Sequence, residues 1–130
     1  MEDSRRSINQ DKNMTKEILD KIKEESLGKA PNESCGFVIK NSVFYPCKNV
    51  HEKNKEEHFK IDTKDYLKAS QLGKISHVFH SHTTWKKEFS ILDKTISEEF
   101  KINLILYHVP DDSFLFYIPN GFRNPYIGKK

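Results

Sequence analysis

The sequence predicts an α+β fold, a single domain with a mixed central β-sheet flanked by helices. Three observations lead there. Short β-type runs alternate with amphipathic helical stretches in irregular order rather than as a repeating βα unit. A hairpin stands at each end of the patterned region and supplies antiparallel pairs. The length, 130 residues, is that of one ordinary domain and leaves no room for a second core.

The elements follow in order. Residues 1–13 are polar and aperiodic and are expected to form a flexible N-terminal arm, ahead of a domain over residues 14–119. Thr15 caps a first helix whose apolar stripe is Ile18, Leu19, Ile22 and Leu27, and Gly28 is expected to stop it. Beyond Pro31 and Asn32, residues 35–39 and 43–47 are two β-type runs at hairpin spacing, and a turn centred on Asn41 sets Cys35 opposite Cys47. Residues 49–57 read as charged loop and 58–61 as a short strand. Asp62, with Asp65 three residues on, resembles a capping box that opens a helix running to Leu72 and ended by Gly73. Residues 75–79 are a strand and 83–89 a loop. Residues 90–100 carry Ile91, Leu92, Ile96 and Phe100 at the spacing of an amphipathic helix. Residues 102–107 and 114–118 are strands around a turn at Pro110, Asp111 and Asp112, and residues 120–130 are an irregular tail.

Composition narrows the function. The net charge of +3 arises from 22 Lys and Arg scattered among 19 Asp and Glu, which gives nucleic-acid binding little support. No stretch approaches the ~20 apolar residues of a membrane span, and the first residues lack the apolar centre of a signal peptide, so the expected location is inside a cell. Two cysteines are too few for a disulfide scaffold and are not spaced as a zinc-binding pair; reduced, buried thiols are expected.

The residues with chemistry in them begin at the third strand. His80 and His82 are two apart, so on an extended chain both imidazoles face one point. Eleven residues beyond His82, the first turn of a helix starting at Ser90 aims Asp93 back at the strand end. Two histidines and a carboxylate leave one position open on a tetrahedral zinc, the arrangement of catalytic sites. Amide hydrolysis also needs a carboxylate that is not a ligand to move protons, and Glu33, just ahead of the first strand, is the candidate. The Ser90 hydroxyl can donate to a developing oxyanion. Taken singly, each residue has a plainer reading: Ser90 and Asp93 as a capping box, the histidines as strand-end polar groups, Glu33 as a solvated loop carboxylate.

In combination, Glu33, the pair His80 and His82, and seven residues later Ser90 with Asp93 resemble the JAMM metallopeptidases, the MPN or Mov34/JAB domain family. Residues 33–36 belong to the same pattern. The sequence is most similar to the phage branch, the tail assembly protein K type, through residues 44–49, Glu57 with Phe59, Asp65 with Tyr66, and residues 73–75; the resemblance spans roughly residues 16–118. It implies a cytidine-deaminase-like architecture with Zn2+ held by His80, His82 and Asp93, with Glu33 as general acid/base, and with Ser90 stabilising a tetrahedral intermediate. It further implies a zinc-dependent hydrolase of peptide or isopeptide bonds linked to phage tail assembly or passage through the cell wall. Its partners would be protein or peptide substrates, phage tail components or peptidoglycan, and its location the host cytoplasm or the virion.

Trimming of a ubiquitin-like or sulfur-carrier protein is an alternative substrate choice, and a non-enzymatic assembly module with a structural zinc is an alternative class. A non-haem iron oxygenase shares the donor set but sits on a many-stranded barrel, which this alternation of elements contradicts. Thr83 stands where most family members have Pro, so an altered loop with metal binding kept is expected. The cysteine-peptidase domain that usually follows in this branch is expected to be encoded separately or absent. His51, His58, His77 and His108 match no motif and read as strand or loop histidines. Trp85 with Lys86 and Lys87 forms a recognition edge or a packed loop.

Overall fold

A computed structural model describes residues 14–119; the expectations for the N-terminal arm and the C-terminal tail lie outside the described residues. The order is α1 (Lys16–Lys29), β1 (Cys35–Ile39), β2 (Val43–Cys47), α2 (Thr63–Leu72), β3 (Ile75–His82), α3 (Ile91–Phe100), β4 (Asn103–His108), a 3-10 turn (Val109–Asp111) and β5 (Ser113–Tyr117). The five strands form one sheet in the order β2-β1-β3-β4-β5. Only β3 and β4 run parallel, and α3 is the crossover that a parallel pair requires. The other pairs are antiparallel, so the sheet is mixed and the fold α+β, as the sequence predicts.

Helix α1 covers one face of the sheet, where Ile18 and Ile22 pack with Val38, Phe79, Ile105 and Tyr107. The opposite face is closed by α2, whose Ala69 packs with Cys35, Phe37, Ile39 and Ile75, and further along by Phe89 against Leu104 and Leu106. Covered on both sides, β1 is buried at all five positions. At Gly36 a Cβ would stand 2.5 Å from both the Phe79 ring and the Tyr45 carbonyl oxygen, so only glycine lets β1 pass there.

Several local expectations hold. Thr15 caps α1 by accepting from the Ile18 N–H, Asp62 caps α2 by accepting from the Lys64 N–H, and Gly73 follows α2 at φ 151. Cys35 pairs with Cys47 across the hairpin, and both are free and buried. The turn holds Lys40 and Asn41 at positive φ.

Others need correction. Gly28 lies inside α1; the helix ends at Ala30, extended because Pro31 follows and excludes the helical region from the residue before it. Residues 58–61 form no strand, only one bridge from Ile61 to Asn49. Strand β3 continues through both histidines instead of ending at Phe79. The spaced residues of α3 do not face the core: Ile91 is 84% exposed and Phe100 60%, while Leu92 and Ile96 are also exposed and the helix's one buried residue is Ser97. Among the described residues no helix is long and apolar enough to cross a membrane.

Candidate functional site

The site forms where β1 begins beside the end of β3. The pairing of Cys35 with His80 extends past β1: the Ser81 N–H donates to the Ser34 carbonyl, and the Ser34 N–H donates to the Ser81 hydroxyl at 2.8 Å. Continuing that register one more residue sets Glu33 over His82, with Glu33 Oε2 3.9 Å from His82 Nε2. Both backbone groups of Glu33 are fixed by the long loop after β2, its N–H by the Lys55 carbonyl and its carbonyl by the Asn49 side-chain amide. Asn49 also donates to the His58 carbonyl and accepts from the His51 and Lys60 N–H groups, so one side chain folds this loop around itself. Asn49 was legible only as the last residue of the phage-branch pattern over residues 44–49, which does not announce this role.

Two apart on an extended strand, His80 and His82 share a face, with ring centroids 4.9 Å apart. The His82 Nδ1 lies 2.9 Å from the Lys86 carbonyl oxygen, which can only accept. Nδ1 therefore carries the proton and Nε2 presents a lone pair. His80 is stacked on Phe59, centroids 4.7 Å apart, and meets the edge of Phe89. Phe59 was legible only as part of the phage-branch pattern and Phe89 only as loop.

Asp93 and Ser90 form a complete capping box at the start of α3. The Ser90 hydroxyl oxygen accepts from the Asp93 N–H, and the Asp93 carboxylate accepts from the Ser90 N–H. The plain structural reading is thus real, and it leaves the other chemistry intact: the Ser90 hydroxyl accepts in the cap and keeps its hydrogen to donate. The same Asp93 Oδ2 stands 4.0 Å from His80 Nε2, since the cap fixes the first turn facing the end of β3.

Glu33, His80, His82, Ser90 and Asp93 all line one cavity of about 520 Å³, together with His51, Glu57, His58, Phe59, Thr84, Lys86, Glu88 and Leu92. Of the proposed recognition edge, Lys86 reaches this cavity. Trp85 is 79% exposed and tilts over His108, and Lys87 pairs with Asp111. Thr83 donates its hydroxyl to the Pro31 and Glu56 carbonyls, ties a proline at this position cannot make.

Electrostatically the site is held short of positive charge. Burial, reinforced by the charges of Asp93 and Glu57 and opposed by Lys86, pushes the Glu33 carboxyl up to about 8. Burial pulls His80 down to about 4, against the attraction of Asp93, and lowers His82 as well. Two uncharged imidazoles and a carboxylate thus face one space, a donor set suited to a cation of zinc type.

The donors are not drawn together as a finished cage: among the described residues no three His, Cys, Asp or Glu groups stand at metal-binding distances. They are arranged as two pairs, His80 with Asp93 and His82 with Glu33. Ligand atoms about 2.1 Å from a shared tetrahedral ion lie about 3.4 Å apart. The observed 4.0 Å between His80 and Asp93 must therefore close by only a side-chain adjustment. The residues fit the ion in chemistry, and one of their pairs, His80 with Asp93, nearly fits it in spacing.

Known proteins match this architecture. A protein of Escherichia phage N15 described as tail tip assembly protein K is 31% identical over 84 residues, covering 62% of this chain and 34% of that one, so the chain spans about a third of its relative's length. The solution structure of a protein from Desulfitobacterium hafniense superposes with a TM-score of 0.60 at 18% identity, over 82% of this chain and 89% of the other, a likeness of fold. The model of the prokaryotic homologs of the JAB domain matches residues 15–117, which contain every element and all five site residues. The chain belongs to that family, the prokaryotic homologs of the JAB domain.

Proposed function

We propose that this domain is a zinc-dependent hydrolase that cleaves a peptide or isopeptide bond during phage tail assembly or passage through the cell wall. One observation carries the proposal: a carboxyl that among the described residues is neither capping nor ion-paired to a lysine or arginine, Glu33, is buried beside two unprotonated histidines and raised to about 8. The family includes metalloproteases, and the similarity to a tail tip assembly protein suggests the setting.

His80, His82 and Asp93 would hold the zinc. When bound, it supplies a Lewis acid that polarises a carbonyl and acidifies water towards a pKa of ~7. The chain's own groups do the rest. Glu33, its carboxyl raised to about 8, takes a proton from the attacking water and delivers it to the leaving nitrogen. Ser90, its oxygen fixed by the cap, turns its remaining O–H towards the carbonyl oxygen as negative charge develops there. The Lys86 carbonyl holds His82 in one tautomer, and Phe59 and Phe89 fix the plane of His80.

A second reading, a binding module of the tail apparatus with a bracing zinc, draws on the wide donor spacing. It gives Glu33 nothing to do. The deciding experiment offers purified protein loaded with zinc a panel of linear peptides, isopeptide-linked peptides and peptidoglycan fragments, with Glu33→Gln in parallel. Cleavage by the wild type and none by a Glu33→Gln protein that still binds zinc is the expected result. Equal cleavage by both would remove Glu33 from the mechanism.

A further inference from the structure

On the same face as His82, in register beside it on the parallel neighbour β4, stands His108, 1% exposed. Its Nε2 is 2.9 Å from the Thr84 carbonyl oxygen and its Nδ1 is 2.8 Å from Asp111 Oδ1. The carbonyl can only accept. Asp111 is held well below the usual carboxylate range by hydrogen bonds from Lys87, Ser113 and His108, so it too accepts. His108 therefore bridges two acceptors, one on the loop of residues 83–89 and one on the turn that begins β5. Asp111 also takes the Lys87 ammonium at 2.7 Å and the Ser113 hydroxyl at 2.5 Å, which makes a second tie between the turn and the loop.

Two neighbouring histidines thus donate to carbonyls two residues apart on one loop, His108 to Thr84 and His82 to Lys86. We propose that His108 and Asp111 are positioning residues, a clamp that fixes the 83–89 loop so that the Lys86 carbonyl meets His82 Nδ1 and leaves Nε2 bare. This rests on the reading of His82 as a metal ligand, because the bare nitrogen is what a ligand needs. With the loop held at Thr83, Thr84 and Lys87, the Lys86 carbonyl between them has one place to be. Released, the loop takes its acceptor away, and His82 is no longer confined to one tautomer. Lys86, which lines the cavity and opposes the shift of Glu33, moves with it.

The test compares His108→Leu, which removes both ring nitrogens at similar volume, with His108→Gln, whose amide N–H reaches towards Thr84 as Nε2 does. In chelator-treated, 15N-labelled protein, the ring nitrogens of His82 are read directly; Co2+ alone is then titrated. The clamp predicts Nδ1-protonated His82 in the wild type and in His108→Gln, and mixed tautomers in His108→Leu with Co2+ affinity lower by about 10-fold to 100-fold. A folded His108→Leu with the wild-type His82 tautomer and affinity overturns the clamp, as does a His108→Gln that loses as much as Leu. Should the Leu variant not fold, Asp111→Ala, which removes the acceptor at a side chain open to solvent, is read in the same way; an unchanged His82 ring there overturns it. A wild type that binds no Co2+ contradicts the proposed metal site, while the tautomer measurement still decides the clamp.

Discussion

Glu33→Gln separates the energetic strain of this site from its chemistry. A carboxyl raised from its ordinary 4.5 to about 8 binds its proton more tightly folded than unfolded. Its contribution is therefore fully present at low pH and is lost as pH rises from about 4.5 to about 8, where the native state must hold a buried charge. At 1.36 kcal/mol per pH unit, the penalty grows from under about 1 kcal/mol at pH 5 to nearly 5 kcal/mol at pH 9, a difference of about 4 kcal/mol. Glutamine at 33 never ionises, so the variant should gain on the wild type by up to that amount over the interval. Water reaching the carboxylate after local rearrangement brings the expected gain to about 2–4 kcal/mol. The assay is urea unfolding of both metal-free proteins at pH 5, 7 and 9. A stability difference that stays constant with pH would refute the assignment of Glu33 as a buried, strained carboxyl.

Further outcomes follow from other parts of the structure. Below pH 6.5 the metal-free fold should lose stability down to about 4, because His80, lowered by burial, takes up its proton more readily unfolded; acid titration of the wild type against His80→Gln checks this. Gly36→Ala forces a methyl group against the Phe79 ring and the Tyr45 carbonyl and should cost about 1–3 kcal/mol in urea unfolding. Asp93→Ala removes half of the capping box, about 1 kcal/mol, together with a proposed ligand. Asp93→Asn keeps an acceptor for the Ser90 N–H, so unfolding should leave it near wild type while zinc titration shows weakened binding; equal loss of stability in both would assign the residue to the cap alone.

Much of this fold is written in short-range signals. The hairpin of β1 and β2 is legible to the residue because its spacing, its β-rich runs and a turn centred on Asn41 agree. Thr15, Asp62, Gly73 and Ser90 mark helix ends by local hydrogen bonding or backbone freedom, which sequence exposes directly. What misleads is periodicity without context. The spacing of Ile91, Leu92, Ile96 and Phe100 describes an amphipathic helix faithfully and does not say which face the sheet covers. In the same way β-type residues at 58–61 have no strand to pair with beyond one bridge, since Asn49 draws their backbone into its own network.

The candidate site divides along the same line. His80 and His82 on one strand and Ser90 with Asp93 on one helical turn are local geometry and readable as such. The alignment of Glu33 with His82 depends on the antiparallel register that pairs Cys35 with His80, 45 residues further along the chain, and only the family pattern announces it. The groups that hold these residues in place, Asn49, the Lys86 carbonyl and the His108 and Asp111 clamp, come from two loops, the end of β4 and the turn after it, and share no motif, so only the folded chain reveals them.

The central claim is that His80, His82 and Asp93 hold a metal beside Glu33. Its most direct test is the metal content of wild type and the His80→Ala/His82→Ala double variant, purified without chelator or affinity-metal columns and assayed by elemental analysis. The account predicts about one zinc per wild-type chain and none in the variant. No zinc in either protein, or equal zinc in both, would contradict it.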